Sequence, residues 1–285
     1  MDLFQALVLG LIQGLTEFLP VSSSAHLIFV PWLLGWEDSA IKSLQFDVAL
    51  HMGTLLAVLV YFAADWRRLI VAGVRSLAER RIGDDPDRRL VWLLALASIP
   101  AALVGLVAED QIEAVFHSTD NLRGGLIVIA LMMIGMGGLL MLAERLGRRT
   151  ADLQHIRLGT ALTIGVAQAF ALIPGVSRSG STITAGLLLG LKRDAAARFS
   201  FLLATPVVLG AGLKKVYDVV TEEGGLPPDE QMGYAVGFLA AAISGFACIY
   251  FLLRYLRTRS TAPFIWYRLF VGVGLLALVL LGVQP

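Results

Sequence analysis

The sequence predicts an all-α integral membrane protein: six transmembrane helices plus two re-entrant helical hairpins, arranged as an inverted-topology repeat. Three observations carry this. The 285 residues are 57% hydrophobic and 16% charged, with mean hydropathy +0.76; a soluble domain averages about 45–50% apolar and about 25% charged. Uncharged runs recur, such as Leu126–Leu142, Tyr234–Leu253 and Leu269–Val283. Each approaches the roughly 20 residues a helix needs to cross a hydrocarbon core of about 30 Å. Finally, two broken apolar segments resemble each other, and each precedes three spans.

In chain order, the first hairpin covers about 3–35, followed by spans at about 46–63, 90–108 and 123–143. These make a first repeat, 1–143. A linker, 144–157, leads to a second repeat, 158–285, with a hairpin at about 158–191 and spans at about 198–218, 233–253 and 264–283. The arm Ser181–Leu191 is only about 16 Å long at about 1.5 Å per residue, too short to cross. Ala25–Gly35 is equally short. Broken backbone at membrane depth is tolerated where it is buried in protein or lines a wet cavity. "LGLIQGLTEFLPVSSSAHL" can be laid on "IGVAQAFALIPGVSRSGST". Gly10 then meets Gly165, Gln13 meets Gln168, Pro20 meets Pro174 after a one-residue slip, and Ser22 and Ser24 meet Ser177 and Ser179. Three spans per unit is an odd number, so the second unit is inverted, and a site is expected where the two polar tips meet.

Charge sets the orientation. Eighteen of the 23 basic residues fall in four clusters: Arg67–Arg89, Arg145–Arg157, Lys192–Arg198 and Arg254–Arg268. The other linkers are acidic, as at Glu37/Asp38, Glu109/Asp110/Glu113 and Glu222/Glu223/Asp229/Glu230. The positive-inside rule puts the basic clusters in the cytoplasm and both termini outside it. The N-terminus has no basic n-region and no small-x-small cleavage site, so it is expected to be retained rather than removed as a signal peptide. One cysteine, Cys248, excludes an intrachain disulfide framework and a multi-cysteine metal site. No nucleic-acid partner is expected.

Arg178 is left over, a charge inside an apolar segment and so a functional candidate. It lies in "PGVSRSGST" (Pro174–Thr182). Pro174 ends one arm. Gly175 and Gly180 allow a turn and a close approach to a ligand. The next helix start offers free N–H groups to an anion. Ser177, Ser179, Ser181 and Thr182 add hydroxyls, and the guanidinium supplies a forked permanent cation matched to phosphate. The plainer reading is a snorkelling arginine with serines bonded back to helix carbonyls, but it leaves this concentration of groups at a helix break unexplained.

The first tip carries the acid and base groups. Gln13 and Glu17 share a helical face, and Ser22, Ser23, Ser24 and His26 follow the break at Pro20. Glu17 could hold a divalent cation beside a phosphate or act as a base. Ser23 could be a nucleophile with His26 as its proton acceptor, or His26 could protonate a leaving phosphate. Alternatively His26 packs between helices and the serines cap one. Asp47 and His51, at the start of the next span, read as structural or secondary. Together the tips make a composite site for a phosphate beside lipid, hence for a lipid phosphate or diphosphate. A transporter or flippase for a lipid carrier or another anion shares this architecture, but does not need Glu17 and His26 together.

"QGLTE", "PVSSSAH", "PGVSRSGST" and "RFSFLLATPVVLGAG" resemble the motifs of the bacterial undecaprenyl-diphosphate phosphatase family, the bacitracin-resistance type, and the similarity runs through essentially the whole chain. The resemblance implies removal of the terminal phosphate of undecaprenyl diphosphate, recycling the lipid carrier of cell-wall synthesis in the bacterial cytoplasmic membrane. It implies a divalent cation, Mg²⁺ or Ca²⁺, and a homodimer is compatible with it. Glu17, Ser23, His26 and Arg178 fall on positions the family uses for catalysis, and Glu17 on its metal ligand. Gln13, an allowed variant of the first motif position, leaves Glu17 as that motif's one carboxylate. The sequence leaves open whether Ser23 or a water activated by Glu17 attacks.

Overall fold

The computed structural model describes residues 1–116, 122–221 and 227–283. Among these residues it contains eleven α-helices and no strand beyond one isolated bridge. A first short pair, α1 (Leu3–Phe18) and α2 (Ser23–Leu33), precedes α3 (Leu44–Tyr61), α4 (Ala63–Ala78), α5 (Pro86–Phe116) and α6 (Leu122–Leu146). A second short pair, α7 (Leu158–Ala169) and α8 (Arg178–Leu188), precedes α9 (Arg193–Thr221), α10 (Gln231–Leu256) and α11 (Ala262–Leu280). Six of them, α3, α5, α6, α9, α10 and α11, are long and apolar enough to cross a membrane, in the order the hydropathy predicts. The chain is a multi-pass membrane protein.

The stretch from Ala63 to Ala78 differs from the expectation of an arginine-rich linker: it is α4. Its arginines are compatible with a helix because they alternate with an apolar stripe. Leu69 and Ala72 are buried, while Ile70, Val74 and Leu77 are exposed. Asp65 in its first turn accepts from both Arg68 and Arg198, each at 2.6 Å, tying α4 to α9. Arg268 is a second difference. The charge tally places it in the last basic cluster, yet it is fully buried within α11.

Small residues let the short helices lie close to long ones. α1 runs along α10, and a Cβ on Gly14 would stand 2.0 Å from Ser244 Oγ and 2.5 Å from the Ala241 carbonyl. Gly10 is equally confined, 2.4 Å from the Gly237 carbonyl. α7 lies against α5 in the same manner, with Gly165 against the Ala97 carbonyl at 2.2 Å. Such close backbone approach is how helices gain packing energy in lipid, where no hydrophobic effect drives them together. α6 packs on α11, and α3 crosses α9. Phe18, at the end of α1, meets Phe201 of α9 edge-on at 5.2 Å. The ends of both short pairs are thereby carried into the centre of the helix bundle.

Candidate active site

The two helix breaks are built alike. α1 stops ahead of Pro20, and α2 begins with Ser22 as its N-cap. α7 runs into one 3₁₀ turn, Phe170–Leu172, and α8 begins with Ser177 as its N-cap. Both caps have positive φ, 76° at Ser22 and 74° at Ser177, a conformation rare outside glycine. Each cap accepts from a backbone N–H three residues on, Ala25 at 3.4 Å and Gly180 at 3.0 Å. Each also reaches the next-but-one hydroxyl, with Ser22–Ser24 at 3.3 Å and Ser177–Ser179 at 3.2 Å. Gly175 has φ +95°, and a Cβ there would stand 2.7 Å from the Ile129 carbonyl, so this turn accepts only glycine.

The breaks meet. Ser179 Oγ donates to the Leu19 carbonyl at 2.8 Å, and an Arg178 Nη donates to Glu17 Oε1 in a salt bridge across 161 residues of sequence. Glu17 Oε2 accepts from Ser23 Oγ at 2.5 Å and from Gln13 Nε2 at 3.0 Å. His51 Nε2 lies 3.7 Å from the same oxygen, with its Nδ1 placed 2.8 Å from the Asp47 carbonyl. One carboxylate therefore collects a guanidinium, a hydroxyl and an amide, with an imidazole close by.

This cluster opens into a cavity of about 270 Å³. Glu17, Ser23, Ser24, His51, Ser177 and Arg178 form its polar end. Val48 of α3, Ala101 of α5 and Val207 and Ala211 of α9 contribute apolar wall, and Lys215 stands on the same lining. The arrangement suits a ligand with an anionic head and an apolar body. Ser23 presents a hydroxyl already bonded to a proton acceptor, and Arg178 presents donors where phosphoryl charge would develop.

The other residues singled out in the sequence lie around this cavity rather than on it. Gln13 is buried behind Glu17. Ser22, Ser179 and Gly180 build the turns. Ser181 and Thr182 donate back to the Arg178 carbonyl at 3.0 and 2.7 Å, and Thr182 also meets Ser200 Oγ at 2.6 Å. His26 does not line the cavity either: Nδ1 sits 2.6 Å from the Ser22 carbonyl and Nε2 sits 2.6 Å from the Tyr267 hydroxyl. If Nδ1 carries the proton, Nε2 accepts from Tyr267, and both ring nitrogens are engaged.

Three polar lining residues, His51, Gln168 and Lys215, are not among the site residues the sequence singles out. His51 was read as structural or secondary. Gln168 entered only as the repeat partner of Gln13. Gln168 is buried, and neither amide atom has a hydrogen-bond partner among the described residues. A buried amide left unpaired costs about 1–3 kcal/mol, which points to a polar ligand at that wall.

The same donors bear on a divalent cation. Among the described residues no three His, Cys, Asp or Glu side chains are grouped to hold a metal. The one carboxylate on the cavity is Glu17; the Oε1 of Gln13, without a hydrogen-bond partner among the described residues, is buried behind it. That is too few for an all-protein cage. It fits an ion of the Mg²⁺ type, which is usually held by one or two carboxylates together with water and substrate phosphates.

The family model for the bacitracin resistance protein BacA matches residues 6–274. Among curated relatives, an undecaprenyl-diphosphatase of Pelobacter propionicus is 47% identical over 284 residues, covering 100% of both chains. One from Trichlorobacter lovleyi is 48% identical over 99% of both chains. One from Thermomicrobium roseum is 48% identical over 98% of this chain and 99% of its own.

Proposed function

This chain belongs to the bacitracin resistance protein BacA family, and from that premise we propose that it hydrolyses undecaprenyl diphosphate to undecaprenyl phosphate and phosphate, recycling a lipid carrier for cell-wall synthesis. The observation that carries this reading at the site is the Glu17–Arg178–Ser23 cluster at the polar end of an apolar-walled cavity. A transporter would need the anion-binding arginine, but not a hydroxyl bonded to a carboxylate.

The diphosphate head enters the cavity with its isoprenoid body along the α3 and α9 walls. Arg178 turns from Glu17 to the terminal phosphoryl group, and its forked donors hold oxygens that gain charge in the transition state. The Gln168 amide and Lys215 sit on the same lining and contact the rest of the head. Glu17, released from the guanidinium, accepts the proton of Ser23 Oγ as that oxygen attacks the terminal phosphorus. The bond from phosphorus to the bridging oxygen breaks, and undecaprenyl phosphate leaves, taking up the proton held by Glu17. Water then attacks the seryl phosphate, its proton passing to Glu17 and from there to the departing Ser23 Oγ, so that phosphate is released and Ser23 and Glu17 are restored. The Ser23–Glu17 hydrogen bond of 2.5 Å favours this route over one with His26 as the base, because His26 faces Tyr267. In phosphoryl transfer, positioning and charge stabilisation supply most of the acceleration. A bound Mg²⁺ or Ca²⁺ would be held by Glu17 together with water and substrate phosphate oxygens, and would neutralise phosphate charge.

We further place the protein in the bacterial cytoplasmic membrane, with both termini outside the cytoplasm and the two halves inverted relative to each other. The like-built breaks and the matching placement of α1 on α10 and α7 on α5 support that symmetry. The deciding experiment is phosphate release from a polyprenyl diphosphate by purified protein, with and without chelator. Release that is lost with chelator and restored by Mg²⁺ or Ca²⁺ is expected. Absence of any release from well-folded protein sinks the hydrolase reading.

A further inference from the structure

We propose that Tyr267 and Arg268, consecutive residues of α11, form a clasp that fixes the two tips against each other, and that Arg268 is a positioning residue for catalysis. This rests on the hydrolase reading above. Arg268 is 0% exposed, and among the described residues its partners are backbone carbonyls rather than a carboxylate. A buried cation without an anion is costly, so its donors must be well used. All of its hydrogen bonds go to backbone carbonyls. Nη1 donates to Pro20 O at 3.2 Å. Nη2 donates to Gly175 O at 2.6 Å and Val176 O at 3.2 Å, with Met132 O at 3.4 Å. Nε donates to Met133 O at 3.2 Å on α6.

Pro20 lies in the first break, and Gly175 and Val176 lie in the second. These carbonyls fall where helical pairing is interrupted, and one planar guanidinium gathers them from both tips. Its five N–H donors diverge in a fixed plane, which a lysine ammonium cannot reproduce. The space for it is reserved: a Cβ on Gly180 would lie 3.2 Å from Nη1 and 3.0 Å from Ser177 Cβ. Tyr267 extends the clasp. Its hydroxyl holds His26 Nε2, and His26 Nδ1 holds the Ser22 carbonyl, each at 2.6 Å. The His26 and Tyr267 rings lie nearly parallel, 11° between planes and 5.7 Å between centroids, with the hydrogen bond joining their edges. Carbonyls 20, 22, 175 and 176 are thus all set from two adjacent positions of α11. Glu17 and Ser23 flank the first pair, and Arg178 follows the second. The clasp therefore sets the spacing between base and nucleophile on one side and cation on the other.

Full-length wild type, Arg268→Lys and Tyr267→Phe are purified and compared for kcat and KM on a polyprenyl diphosphate, with activity normalised to folded protein. Backbone hydrogen exchange is followed in the same samples. A displacement of about 1 Å at a reacting centre costs about 10²-fold in rate. Arg268→Lys should therefore lose kcat on that scale while KM stays near wild type, because each tip retains its own binding groups. Tyr267→Phe should lose kcat to a smaller extent. Exchange should rise in segments 17–24 and 174–181 together, and not in α3. A folded Arg268→Lys with wild-type kcat overturns the proposal, and so does a kcat loss with unchanged exchange at both tips. If Arg268→Lys does not fold, Tyr267→Phe decides: wild-type kcat and exchange in that variant overturn the clasp. If wild type itself releases no phosphate, the hydrolase reading fails, and the exchange data alone judge the clasp.

Discussion

Glu17 is the residue on which the site turns, since its two oxygens face the cation and the nucleophile separately. Glu17→Gln keeps the shape and removes the proton acceptor. Turnover should fall by about 10²–10⁴, the usual yield of a general base, with little response to added Mg²⁺ or Ca²⁺. Binding of an inert diphosphate analogue should survive better, because Arg178 remains; wild-type turnover in folded Glu17→Gln would remove the carboxylate from the mechanism. Arg178→Lys keeps the charge and loses the fork, so turnover should drop by about 10²–10³, read as kcat on purified protein. Ser23→Ala tests the covalent route, and substantial residual activity would assign the attack to water. These three residues were legible in the sequence because ionisable and hydroxyl groups are expensive in an apolar segment and here cluster at helix breaks. His51 and Gln168 were not, since a lone imidazole or amide in an apolar helix reads as packing until the cavity is seen. Arg268 was hidden differently: on the page it looks like one more cytoplasmic charge beside Arg254, Arg257 and Arg259.

The short helices carry the site, so their seating on long ones should matter as much as the chemistry. Gly14→Val would drive a branched side chain into Ser244 and the α10 backbone, where even a Cβ has only 2.0 Å. Overpacking typically costs about 1–3 kcal/mol, and backbone leaves less room to relax than side chains do. Lower thermal stability in detergent is expected, along with activity loss beyond the unfolded fraction, as α1 and Glu17 shift. An unchanged melting temperature would show that α1 does not need this contact. The six spans could be read from hydropathy because lipid demands about 20 apolar residues of each. α4 could not, because an arginine-dense stretch beside a span satisfies the positive-inside rule equally well as loop or as helix. Its identity rests on tertiary partners, Asp65 with Arg198 and Trp92 Nε1 with Ser76 Oγ at 2.8 Å.

At the scale of the molecule, removing Arg268 from the charge count leaves the orientation argument intact, because the basic clusters still outweigh the acidic linkers. A single-cysteine labelling scan, begun after Cys248 is replaced, should find position 150 accessible only from the cytoplasmic side and position 229 only from the other. Labelling of position 150 from outside alone would overturn the inverted arrangement. The likeness of the two breaks was visible as a sequence repeat, since Pro20 and Pro174 and the two serine pairs punctuate both tips. Part of what ties them was not: beside the Arg178–Glu17 and Ser179–Leu19 contacts between the motifs, Arg268 joins both tips from outside either motif. That separation bears on how the protein is made. Pro20 and Arg268 stand 248 residues apart, so the first tip is synthesised and inserted long before its last partner leaves the ribosome. For most of translation the Pro20 carbonyl must find its partner in water, lipid headgroups or the insertion machinery, and the final helix completes the tip. Chains that stop short of α11 should therefore be cleared by membrane quality control rather than persist as partly working protein.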